Sequence, residues 1–337
     1  TILDGIITAG DQMFIPSETE HPLTPIVVLS AIETSANVWE IVGDVNFTTI
    51  VGTHIGIIRR GLGSQGHSFA AGYKANARAK YSSALGNEST AIGENSTALS
   101  SGIAIGVGAF AVSVLSRAEG QEAVAMAGAL AKGKRSFAVG EGNSSLSLGS
   151  VALGINSTAS GDEAVAIGGS NVSSGTSSFA LGTDNEASGN FSIALGAEDN
   201  TASGSYSISL GTGNETIGTK SNAWGDDNQV SAPQGFAIGS ENLISALAEK
   251  SIVLGIDSQS VAEQSIVLGS GLKSGAYRQI LMGSHNVLNV PGTLDAWVST
   301  DNLFTLGNGA SAGNESNAVE ITKAGIVTLP SYGSGTI

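Results

Sequence analysis

The chain has 337 residues and a net charge of −15, with 13% charged residues, 47 glycines and no cysteine. So few lysines and arginines argue against a nucleic-acid or anionic-membrane surface. The missing cysteines exclude disulfides, thiolate metal sites and cysteine nucleophiles. A hydrophobic share of 41% does not fit a disordered chain. No apolar run is long enough to cross a bilayer, so membrane insertion by this segment is not expected. No basic n-region marks a signal peptide behind Thr1.

Residues 1–63 show no short period and hold Pro16, Pro22 and Pro25. Ile26–Leu29, Val38–Val42, Val45–Val51 and His54–Ile58 read as short strands. They predict a small β cap or attachment domain, of the kind a solenoid needs to shield its first open edge.

Residues 64–283 repeat. Gly154, Gly168, Gly182 and Gly196 each close a Ser-x-Ala-x-Gly-like phrase, fourteen residues after the last. The period slips by one to Gly211 and resumes at Gly225 and Gly239. It slips by two to Gly255 and resumes at Gly269 and Gly283. Upstream, Gly72, Gly86 and Gly140 hold the same station, with Ser100, Ser113 and Ala127 between them. Those substitutions read as a demand for smallness more than for a positive φ. A fixed short period is the mark of a solenoid, here all-β: a parallel β-roll of about fifteen coils stacked about 4.8 Å apart. The two slips predict bulged loops on the outer surface.

Within one unit, Phe179 and Leu181 share one strand face, and Ala180 and Gly182 share the other. Neither face carries charge, so this strand reads as buried on both sides. In the phrase that follows, Glu186 and Ser188 make one face polar and solvated. A two-stranded coil covers only one face of its buried strand. An identical chain, packed through its small Ala/Gly side around a rotation axis, is the expected cover. A monomeric solenoid with a third strand per coil, or one decorated by a helix, is the alternative.

Residues 284–337 leave the period. Asn302–Gly307 reads as a strand before a Gly/Asn/Ser loop, and Ala318–Thr322 with Ile326–Leu329 as a hairpin. This piece predicts a β neck, with the chain expected to continue beyond Ile337.

Chemistry is sparse. His21, His54, His67 and His285 are far apart, with no metal-binding spacing. The pairs Asp226-Asp227 and Glu198-Asp199 could serve glycoside hydrolysis if held at the right separation, but read first as solvated loops. The calcium-binding nonapeptide pattern is missing. No catalytic residue, metal or cofactor is expected. Candidate ligand contacts are Lys132, Lys134 and Arg135, with Lys74, Arg78 and Lys80 as further members of an anionic-glycan patch. Tyr73 and Tyr206 are aromatic candidates near coil turns, whereas Trp224 fills the aliphatic slot before Gly225 and reads as core.

The phrases Ala164-Val165-Ala166-Ile167-Gly168 and Ser192-Ile193-Ala194-Leu195-Gly196, with Asn95-Ser96-Thr97-Ala98 and Asn156-Ser157-Thr158-Ala159, resemble the head repeats of YadA-like trimeric adhesins. The resemblance covers about residues 64–283. It implies a left-handed parallel β-roll, three chains around one axis and attachment to surfaces or matrix. Asn302 to Pro330 is similar to the segment of phage tail fibres that precedes a C-terminal chaperone domain. No heptad stalk or anchor-barrel strands accompany the repeats, which tilts the resemblance toward a tail or surface fibre. Together these readings predict a non-enzymatic homotrimeric fibre that binds a surface glycan or protein receptor. The alternatives are a spacer shaft with its binding tip elsewhere and a tailspike-like polysaccharide depolymerase.

Overall fold

The computed structural model describes residues 68–288 and 293–330, together with the backbone of four strands nearer the N-terminus. The chain falls into two compact units, Thr1–Asn156 and Ser157–Ile337.

In the first unit, β1 (Gln12–Phe14), β2 (Ile26–Ser35), β3 (Val38–Gly43) and β4 (Gly56–Ile58) form an antiparallel sheet in the order β3-β2-β1-β4. Three of the expected strands are there, and β2 runs longer than predicted. The expected strand at Val45–Val51 lies outside the described residues.

Coils follow, each made of a longer and a shorter strand. The first consists of β5 (Phe69–Ala71) in one sheet and β6 (Asn76–Ala77) in the other. Every strand lies parallel to its counterpart one coil away: Phe110 faces Val124 and Ala111 faces Ala125 on the longer sheet, and Ala104 faces Ala118 on the shorter. The second unit repeats the plan. Phe179–Thr183 pairs with Ile193–Glu198 in register from Phe179↔Ile193 to Gly182↔Gly196. Both units together hold about fifteen such coils, and the described residues contain no α-helix.

The interior of a coil is narrow because its side chains are small. In the first unit, Ala70, Ala84, Ala98, Ala111, Ala125 and Ala138 of the longer strands meet Ala77, Ala91, Ala104, Ala118 and Ala131 of the shorter ones, all buried. In the second, Ala180 and Ala194 meet Ala187 and Ala202, and further on Val253, Val267 and Leu281 meet Val230 and Ile244. Two sheets separated by alanine approach closely enough to need no third wall.

This arrangement corrects the predicted covering face. The small side of the longer strand is buried inside its own coil, against the shorter strand. The side left uncovered is the large one. Ile193, Leu210 and Leu254 are each 37% exposed, although neighbours above and below flank them in the ladder.

Corners close each coil. A residue with φ near +50° to +60° recurs about every seven residues, as at Asp184, Phe191, Asp199, Tyr206, Lys220 and Asp227. The predicted irregularities fall at corners. The first is a bulge between Gly196 and Glu198 that exposes Ala197, Glu198 and Asp199. The second lengthens the turn between Leu243–Ile244 and Ile252–Ile256, leaving Leu247 exposed.

The last coil is extended rather than abandoned. Asn302–Asn308 pairs parallel to Ile280–Ser284, with Gly307 beside Gly283. Asn317–Thr322 and Val327–Thr328 then add antiparallel, which is the predicted hairpin. In the intervening loop the Gly313 N–H donates to the Glu315 carboxylate at 2.9 Å, which holds that carboxyl below its usual range.

Candidate binding surface

The repeat glycines sit where the longer strand turns outward. Twelve of the thirteen named above have φ between +100° and +153°, the exception being Gly255. A Cβ on Gly182 would lie 1.7 Å from the Gly196 carbonyl oxygen, and one on Gly255 would lie 1.6 Å from that of Gly269. The station therefore demands both a left-handed backbone and close approach. Ser100, Ser113 and Ala127 also adopt positive φ, at 49°, 88° and 57°. Smallness was only half of the requirement.

Three residues after most of these glycines stands a buried polar side chain that the sequence reading missed. Asn171, Asn185, Asn200, Asn214, Asn228 and Asn242 are almost wholly buried. Each donates its amide to a glycine carbonyl of the next coil, as Asn185 does to Gly196 (3.0 Å) and Asn214 to Gly225 (2.7 Å). Each amide oxygen accepts from the backbone N–H at the same station one coil on, as Asn171 does from Asn185 at 3.1 Å and Asn242 from Ser258 at 3.2 Å. Ser157 and Ser258 do the same with a hydroxyl. The signal was present, as an asparagine three residues after most of the repeat glycines, but asparagine after glycine reads as a turn.

Three kinds of surface remain. The first is the aliphatic stripe of the longer strands. In the second unit it runs through Phe179, Ile193, Ile208, Phe236, Ile252 and Ile266 at one register position, with Asn222 between Ile208 and Phe236. Leu181, Leu195, Leu210, Trp224, Ile238, Leu254 and Leu268 follow at the other. Trp224 holds the predicted aliphatic slot and meets Phe236 edge-on at 5.1 Å, but it lies on this uncovered stripe, 39% exposed, not in the chain's own core. The second surface is the polar outer face of the shorter strands, where Glu186, Glu215 and Gln229 lie. The third is the two columns of corners.

The candidate ligand residues are all exposed at corners or beside them. Tyr73 stands at the corner after the longer strand, with Lys74 Nζ 5.1 Å from its ring centre. Tyr206 stands at the corner before the longer strand. Lys132 follows a shorter strand, and Lys134 and Arg135 lie on the adjoining corner. Arg135 pairs with Glu122 at 3.0 Å, whereas Lys132 and Lys134 make no ion pair among the described residues. Arg78 sits four coils from Lys132 by register, about 19 Å at the usual strand spacing. The structure therefore does not gather Lys74, Arg78 and Lys80 with Lys132 into one patch.

Asp226, Asp227, Glu198 and Asp199 are exposed corner residues. Among the described residues no three histidine, aspartate or glutamate side chains are grouped to hold a metal. His21, His54 and His67 lie outside the described residues. His285 ends the last regular coil at a left-handed corner.

With this geometry in view, the comparison with known families is specific. Residues 65–89, 147–171 and 173–198 match the model of the YadA head domain repeat. The chain thus carries YadA-like head repeats, the repeat of an adhesin head, folded as a β-solenoid. No curated protein matches the chain.

Proposed function

We propose that the chain is a segment of a non-enzymatic, homotrimeric surface fibre that acts in attachment. The carrying observation is the aliphatic stripe. Water-exposed apolar surface costs about 25 cal/mol per Å² relative to burial, and this stripe continues over coil after coil without a charged residue. Three copies turned inward around an axis would bury it in a closed ring. The adhesin-head repeat supports the same assembly. The outer corners would then be presented in three copies, so weak contacts gain by avidity.

Residues 1–63 serve in this reading as a cap or attachment piece, and residues 284–337 as a neck. The order of strand, Gly/Asn loop and hairpin ending near Leu329 and Pro330 supports a fibre neck, whether the fibre is borne by a cell or a virion.

Light scattering on the purified chain should give the mass of three copies, and Leu254→Lys with Ile266→Lys should reduce it to one. A folded, stable single chain in dilute buffer would defeat the assembly. Beads coated with the fibre should adhere to cells. Release of reducing ends from capsule or lipopolysaccharide would defeat the non-enzymatic reading.

A further inference from the structure

Tyr206 stacks on Phe191 with ring centres 5.0 Å apart and planes 10° from parallel. The two rings occupy the same corner on successive coils, tied by the Tyr206 N–H donating to the Asn190 carbonyl at 2.8 Å. Both residues have left-handed backbones, at φ 58° and 60°. A bulky side chain gives up about 1–3 kcal/mol in such a conformation. Burial does not offset that strain, because Phe191 is 48% and Tyr206 54% exposed. The equivalent corners on nearby coils carry Ser177, Lys220 and Gln234. Two exposed rings on a strained corner therefore do little for the fold that smaller residues do not do elsewhere.

Tyr206 covers one face of the Phe191 ring. On its other side, the equivalent corner one coil back carries Ser177, a much shorter side chain. Ser177 donates its hydroxyl to Glu163 Oε2 at 3.2 Å, and the Glu163 carboxylate is exposed. Asn190 Oδ1 accepts from the Thr176 N–H at 3.0 Å, which fixes the amide and leaves its Nδ2 donor available. Two half-exposed rings thus share one corner column with an exposed acceptor, Glu163, two coils back, and a donor, the Asn190 amide, next to Phe191 in the chain.

We infer that Phe191, Tyr206, Glu163 and Asn190 form a subsite for a neutral hexopyranose of a surface glycan. A pyranose offers an apolar C–H face to stack on an aromatic ring and hydroxyls at its rim to meet both partners. The Glu163 carboxylate selects against an acidic sugar. This inference rests on the attachment function proposed above and names its ligand class. One such contact is weak, and repetition on each copy of the fibre multiplies it.

The test is a printed array of neutral and sialylated glycans, probed with the full chain and with Phe191→Ser and Tyr206→Gln. Serine and glutamine already occupy this corner at Ser177 and Gln234 with φ 51° and 57°, so both variants should melt with the wild type. The wild type should bind neutral hexose-terminated glycans, and each variant should bind about tenfold more weakly or worse. Glu163→Gln should fall between. Absence of glycan binding, binding to sialylated glycans alone, or variants within about twofold of wild type would overturn the subsite. If wild-type and variant beads adhere to cells equally, the subsite fails and attachment stands. Wild-type beads that do not adhere fail the attachment reading itself.

Discussion

Asn228 Oδ1 accepts twice from Asn242, from its backbone N–H at 3.1 Å and from its side-chain amide at 2.8 Å. Asn242 in turn donates to the Gly255 carbonyl at 2.7 Å. Parallel strands alone would leave the buried backbone N–H groups of these corner asparagines unpaired. The asparagine spine satisfies them and fixes the spacing of successive coils. Replacing Asn214 with leucine, which matches the station's Leu272, strands the buried Asn228 N–H and removes the second donor to the Gly225 carbonyl. Each unpaired buried group costs about 1–3 kcal/mol. Asn214→Leu should therefore lower the melting temperature clearly and speed hydrogen exchange at Asn228. Asn214→Ser should be milder, because Ser258 keeps both bonds, to Gly269 at 3.1 Å and from Leu272 at 3.2 Å. Equal melting of the leucine variant and the wild type would show that the spine is not needed.

Gly182 and Gly86 hold the same station but differ in what surrounds them. A Cβ on Gly182 meets the Gly196 carbonyl oxygen at 1.7 Å, whereas one on Gly86 meets nothing nearer than the Ser100 nitrogen at 3.1 Å. Both have positive φ, so alanine strains either backbone. Only at Gly182 must the next coil also shift. Strain and overpacking together predict a loss of about 2–5 kcal/mol for Gly182→Ala and a smaller one for Gly86→Ala. Chemical denaturation of the two variants gives the order, and a reversed order would refute the account.

The serines that precede the longer strands look equivalent in sequence, yet they are not. Ser178 donates its hydroxyl to the Gly175 carbonyl at 2.7 Å and meets Ser173 Oγ at 2.6 Å. Ser192, one coil on, is buried with no partner for its hydroxyl. Alanine fills this station at Ala164 without disturbing the coil. Ser178→Ala should cost about 1 kcal/mol. Ser192→Ala should be neutral or stabilising, since it removes an unsatisfied buried group. A clear loss of stability for Ser192→Ala in the same denaturation series would count against that reading.

The coil was legible because its chemistry is periodic. The spacing from Gly154 to Gly196 fixed the strand count per turn, and the slips at Gly211 and Gly255 located the irregular corners. What misled was symmetry. Alternation of Phe179, Ala180, Leu181 and Gly182 separates two faces but does not say which one meets the other strand. The deciding quantity is the gap between sheets: a two-sheet coil stays thin only if alanine points inward, as Ala180 and Ala187 do. The corner pair Phe191 and Tyr206 was half visible. Tyr206 stood out as a scarce aromatic, but its stacking on Phe191 depends on a fifteen-residue step at the first slip, which puts the two on one column.

Beyond its strand pairing, the C-terminal hairpin is anchored by a buried cation. Lys323 Nζ lies 3.4 Å from Asp301 Oδ2, with the lysine side chain fully enclosed and the aspartate nearly so. The ammonium also lies 5.6 Å from the ring centre of Tyr277, on the last regular coil, and 5.3 Å from that of Trp297. Removing one partner of a buried pair leaves an uncompensated charge, at a cost of about 3–5 kcal/mol. Asp301→Ala should therefore loosen the hairpin Asn317–Thr322 and Val327–Thr328, seen as faster hydrogen exchange and proteolysis there. Lys323→Met keeps the apolar stem against both rings and should cost less. The double variant should recover much of the loss, because no charge is then stranded. If Asp301→Ala leaves the hairpin as protected as wild type while the coils are unchanged, the pair does not anchor the hairpin.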